Sequence, residues 1–322
     1  MRILPRLLLA LAVAATISPG LADAEPGVTE VVVHGHTWSP YGRLHAKIPG
    51  PGMWKLTRGR GTVWVIGVLE EAPQSLTWDD RFLKQTLQGA RTLITPGLAT
   101  SSDEGETRYR KTSMLPGTTT LSAVVSADTY GRLTATVARE KKLTLDSYSH
   151  FTAQRAGTEL YGNVLAWHGI DSDMPQVYQI VDMVRGTPTT ITPALHFDAD
   201  AATDRLLGLD TAQSEACLVA YLDGIDYDLD TLPQVATSWS QGDVMNVSLF
   251  YHDTPGLACN LLIPNWQATV ETATLAKMTR TIDVTLDQPG HSVAVMPFDY
   301  LLRKGGILDQ LHDRGVEIAP AE

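Results

Sequence analysis

Cysteine is scarce in this chain: Cys217 and Cys259 are the only two among 322 residues. In an exported protein an even count favours one disulfide over two separate buried thiols. That bond would close a loop of about 40 residues and contribute about 3–4 kcal/mol on the chain-entropy model. Positive charge is also short, with 25 Lys and Arg against 36 Asp and Glu and a net charge of −11. Such a balance argues against nucleic acid and anionic membrane surfaces as partners. The sequence has no G-x-S-x-G elbow, no phosphate loop and no dinucleotide fingerprint. It has no repeats and no low-complexity tract. No apolar run beyond residue 24 is long enough to cross a bilayer.

What is present starts like an export signal. Arg2 and Arg6 precede an apolar run from Leu7 to Ile17, and Ala22-Asp23-Ala24 forms an A-x-A cleavage site. Residues 1–24 are therefore expected to be a signal peptide, and the protein periplasmic or secreted. No cysteine stands at that site to take a lipid anchor. Without residues 1–24 the chain keeps 23 basic and 35 acidic residues, a net charge of −12. The remaining 300 or so residues can bury a full core.

The pattern reads as α/β (α+β), a mixed central sheet built from N- and C-terminal segments around a large helical middle. Residues 25–51, rich in Pro and Gly, form a lead-in. Residues 52–322 form a single domain with core segments 52–100 and 286–320 and a helical insertion at about 120–285. Met53 to Leu56 reads as a strand, Arg58 to Gly61 as a tight turn, and Thr62 to Val68 as a buried β-branched strand. Thr77 is expected to cap a helix through Ala90, and Arg91 to Thr95 to form the next strand. Residues 101–110 read as a loose polar loop. Helices are expected at 127–142, 147–167 and 177–184, then at 201–208, 211–222, 232–251 and 265–285. His291 to Met296 reads as a strand beside 62–68, followed by a short helix at 307–313 and a last strand at 316–318.

Three blocks carry a family resemblance. One is Gly52 to Trp78, with Trp54, Gly61-Thr62-Val63-Trp64 and Gly67 in fixed order. The second is Ser238-Trp239-Ser240-Gln241-Gly242-Asp243, and the third runs from Val293 to Ile318. Together they resemble the TraB/GumN family, relatives of the Tiki metal-dependent proteases. The resemblance implies an α/β core with a helical middle. It also implies a divalent-metal hydrolytic site made from two G-x-x-H motifs, a glutamate after the second strand and an Arg-Asn pair on a late helix. Here the ligand positions have changed. Glu70 stands where Gly67-Val68-Leu69 should lead to histidine, and Thr95-Pro96 replaces the glutamate. Arg280 remains while Thr281 replaces asparagine, and Asp299 or Tyr300 takes the second histidine position.

Glu70 and Asp299 suit a hard cation such as Mg²⁺ or Ca²⁺ better than Zn²⁺, and they equally suit exposed acids beside a cleft. The expectation is that no metal and no other cofactor is bound. Glu70, Arg280 and Asp299 are the catalytic candidates if activity survives as a divergent metal-dependent hydrolase. The favoured expectation is a catalytically degenerate protein, a pseudoenzyme with a binding or scaffolding role on an envelope protein or polysaccharide. The GumN resemblance adds an accessory role in exopolysaccharide production as an alternative.

Other constellations read as structural. His34 and His36 belong to a polar arm. Asp198 and Asp200 suit a helix N-terminus. Asp223, Asp226, Asp228 and Asp230 read as a solvated turn between helices. Trp167, Trp239 and Trp266 are expected in the helical core.

Overall fold

The computed structural model describes residues 31–33, 36–43, 48–252 and 254–321. The expected signal peptide and His34 lie outside these residues. In chain order the strands are β1 (Val31–Val33), β2 (His36–Trp38), β3 (Met53–Arg58), β4 (Gly61–Val68), β5 (Ala72–Pro73) and β6 (Thr92–Thr95), with helix α1 (Arg81–Leu87) between the last two. Then come β7 (Leu98–Thr100), α2 (Asp103–Thr112), α3 (Ala127–Arg139), α4 (Ala153–Trp167), β8 (Ile170–Asp171) and α5 (Pro175–Val184). They are followed by β9 (Thr190–Pro193), β10 (His196–Asp198), α6 (Ala199–Leu207), α7 (Thr211–Ser240), α8 (Val244–Phe250) and α9 (Pro255–Asn260). The chain ends with α10 (Thr272–Leu286), β11 (Gly290–Pro297), α11 (Phe298–Leu302), α12 (Ile307–His312) and β12 (Glu317–Pro320).

The main sheet has six strands in the order β12-β3-β4-β11-β6-β9. A two-residue turn joins β3 to β4 antiparallel, with Gly59 at φ +59°, a left-handed conformation that favours glycine. β4, β11, β6 and β9 run parallel. The β-branched and aliphatic runs of β4 and β11 are buried because helices cover the sheet. The expected neighbourhood of 62–68 and 291–296 is present, with Val68 opposite Pro297 at the carboxyl ends. In an open α/β sheet, that end is where loops gather into a binding crevice.

The helical middle has its own core, built mainly from α3, α4 and α7. At Gly157 on α4 an added Cβ would come within 2.7 Å of the Tyr221 ring on α7. Glycine there lets the two helices approach closely. Cys217 on α7 and Cys259 on α9 are joined as a disulfide, with Cα atoms 4.7 Å apart.

Several sequence expectations need correction. Residues 101–110 are not a loop: α2 starts there, capped by the Ser102 hydroxyl, with three acids in its first turn and Arg110 and Lys111 in its last. The first helix begins at Arg81, and Asp80 rather than Thr77 stands at its cap position. Only residues 153–167 of the expected 147–167 helix are α-helical, and Thr152 caps them. The 211–222 and 232–251 helices are not separated as expected. α7 runs unbroken through the acidic residues and past Pro233 to Ser240. Trp239 and Trp266 are buried, but Trp167 is 44% exposed, with the Lys142 ammonium over its ring. Asp198 caps α6 and Asp200 lies in its first turn, both as expected, and Asp200 also accepts from the Ser102 hydroxyl at the start of α2.

Candidate functional site

The β4 and β11 loops leave the sheet side by side. Glu70 and Asp299 each follow the Val68–Pro297 pair by two residues. Both charges raise the pKa of the Tyr300 phenol, after burial, which is the larger cause. The two acids are therefore within electrostatic reach of one side chain. Asp299 is 5% exposed, which corrects the expectation of a solvated acid. Tyr300 stays neutral at ordinary pH.

Arg303, one helical turn beyond Asp299, is the cation of this region. Its guanidinium forms an ion pair with buried Glu271 and lies over the Tyr300 ring, 4.7 Å from its centre. Burial opposes the Arg303 charge, but Asp299 and the hydrogen bond to Glu271 outweigh it and raise the pKa. The other candidates do not converge here in the same way. Arg280 is exposed on α10, and the Thr281 hydroxyl donates to the Ala194 carbonyl at 3.0 Å. The Thr95 carbonyl accepts from Ala194 N–H at 2.8 Å.

The fit of a divalent metal can be judged from these donors. Among the described residues, no three or more His, Cys, Asp and Glu side chains are arranged to hold an ion. A transition metal needs such a set, with imidazole or thiolate preferred. Here Asp299 and Glu271 face a fixed guanidinium, so the residues do not fit the metal that the family resemblance implies.

A second cluster joins the sheet to the helical middle. The β4 loop turns back as β5, which pairs with β8 just beyond α4. This presses Glu71 against α4 and α7. The Tyr161 hydroxyl donates to Asp228 Oδ2 at 2.7 Å and lies 3.3 Å from Glu71 Oε1. His252 Nε2 lies 2.8 Å from Asp228 Oδ1. Burial, then the charge of Glu70, then that of Asp228 holds the Glu71 carboxyl well above the usual carboxylate range. Glu71 thus keeps its proton at a pH where a surface glutamate is ionised. A protonated Glu71 can donate to the Tyr161 oxygen, which orders a chain from Glu71 through Tyr161 to Asp228. The space left beside these groups is about 30 Å³, room for roughly one water.

Asp228 corrects the reading of the acidic run. Asp223 pairs with Arg132 and Asp226 with Arg139, while Asp228 points inward and is 3% exposed. A signal for this was present, because Tyr221, Ile225, Asp228, Leu232, Val235 and Trp239 repeat at spacings of three and four. Tyr161, His252, Glu271 and Arg303 carried no comparable local signal.

Residues 52–185 match the family model described as the TraB/PrgY/gumN family. Over this stretch, which is less than half of the chain, the sequence is similar to that family. The match runs from β3 to the end of α5 and includes Glu70 and Glu71 but not β11. The placement of Asp299 opposite Glu70 rests instead on the sheet register. No curated protein and no solved structure matches the chain.

Proposed function

We propose that this protein is an exported and catalytically degenerate member of the TraB/PrgY/gumN family, and that it acts by binding a protein or polysaccharide in the cell envelope. Arg303 carries the reading. It supplies positive charge to Asp299 and Glu271 at the mouth of the sheet, where the family resemblance would place an ion. Glu70 then serves as part of a polar loop, and buried Asp299 as a partner of the Arg303 charge, rather than as ligands. The Cys217–Cys259 bond suits an oxidising compartment. No helix among the described residues is long and apolar enough to cross a membrane.

The test is an activity screen of the purified protein on peptides and esters with Mn²⁺, Co²⁺ or Ca²⁺ added. The expected result is no metal-dependent turnover. Turnover that requires metal and disappears in Glu70→Ala would overturn the reading and restore the hydrolase.

A further inference from the structure

Beside the sheet mouth lies an open cleft of about 470 Å³, with Arg303 and its partner Glu271 both in the lining. That volume is in the range of small-molecule sites. One wall is apolar, formed by Leu257, Leu261 and Leu275. Gln267, Arg303 and Lys304 supply donors on the other side. The wall near Gln267 is unusual backbone. Residues Gln267–Glu271 form a π-helical turn that enters α10, two residues after Asn265 at φ +60°. Such turns occur frequently at functional sites. This one carries Glu271 into the interior and leaves Gln267 exposed.

Arg303 is only partly used by the protein. One Nη1 N–H goes to Glu271, and among the described residues no acceptor takes the Nε and Nη2 N–H groups. Its plane is set by Glu271 on one edge and the Tyr300 ring on its face. A guanidinium held in this way presents a pre-oriented fork, which matches a carboxylate through two parallel N–H···O bonds.

We infer that this cleft binds a monocarboxylate with an aliphatic tail, its head on the free edge of Arg303 and its tail along Leu257, Leu261 and Leu275. The inference deepens the binding reading above and rests on it. The head is a carboxylate because its two oxygens match the two parallel N–H donors of the fork and both partners are then charged. The tail is aliphatic because Leu257, Leu261 and Leu275 supply the apolar part of the lining.

Titration calorimetry of the intact protein with hexanoate, octanoate and decanoate tests the assignment. Saturable binding is expected, tightening up to about fourfold for each buried methylene. Octylammonium is expected to bind at least about tenfold more weakly than octanoate, since it cannot accept from the fork. Leu261→Glu, at a position 44% exposed, should keep the native circular dichroism and abolish decanoate binding. Arg303→Lys keeps a cation beside Glu271 but loses the fork, and should weaken octanoate binding about tenfold. The inference is overturned if decanoate shows no saturable binding, if octylammonium matches octanoate, or if the folded Leu261→Glu variant binds normally. Those results would leave the non-catalytic reading intact, whereas metal-dependent turnover would remove that reading without changing the calorimetric outcome, so the two failures are distinguishable.

Discussion

Replacing Glu71 by glutamine removes a titratable group from the joint between the sheet and the helical middle while keeping its shape. A glutamate without a protein around it titrates near 4.5. In the fold its pKa lies well above that, because of burial first and then the charges of Glu70 and Asp228. As pH rises the unfolded chain gives up this proton first. Between the two pKa values the folded state holds the extra proton, so stability falls as pH rises. The contribution is complete below about pH 4.5 and is lost by the folded pKa, above which the curve is level again. The slope within the window reaches at most about 1.4 kcal/mol per pH unit. For a chain of this size 1 kcal/mol is roughly 2–4 °C in melting temperature. Glu71→Gln has no proton to lose, and its amide can still donate to the Tyr161 oxygen. Urea or thermal unfolding of both proteins from pH 5 to 8 is the assay, and their difference cancels what the other groups contribute. The variant should gain on the wild type as pH rises from 5, until the folded pKa of Glu71 is passed. Parallel curves, or a wild type that gains on the variant, would refute the burial argument.

Three further outcomes follow from particular contacts. The Cys217–Cys259 bond spans a sequence separation of 42, so the double serine variant should lose about 4 kcal/mol in urea unfolding, the helical middle loosening first. The Trp239 indole N–H donates to the Gly67 carbonyl at 2.7 Å inside the core, so Trp239→Phe should cost about 1–3 kcal/mol by leaving that carbonyl unpaired. Arg303→Met should cost about 3–5 kcal/mol because it strands buried Glu271, and adding Glu271→Met should recover much of the loss in a double-mutant cycle.

The sheet was legible in the sequence because its strands announce themselves. The Gly59 hairpin, the TVWVIGV run and the SVAVM run are short, β-branched and bounded by turn residues. Helix α2 was not legible because its stabilisation is local. Ser102 and the charged ends set it up, while almost nothing in it is buried, so the apolar periodicity that marks a helix is missing. The continuity of α7 was hidden by the density of aspartates, although the apolar stripe runs straight through them. For the candidate site, sequence gave the loop with Glu70 and the opposing Asp299. It could not give Arg303 and Glu271, which meet across 32 residues, or Tyr161 and Asp228, which meet across 67. Their roles come from tertiary packing and from burial, neither of which has a local signature.

The central claim is that fixed side chains, not an ion, balance the acids at the sheet mouth. Metal analysis of the purified chain after exhaustive dialysis tests it most directly, paired with melting curves in added Mn²⁺, Co²⁺ and Ca²⁺. The account predicts no stoichiometric metal and no metal-dependent rise in melting temperature. A retained ion at one per chain, lost together with its thermal effect in Asp299→Asn, would contradict it.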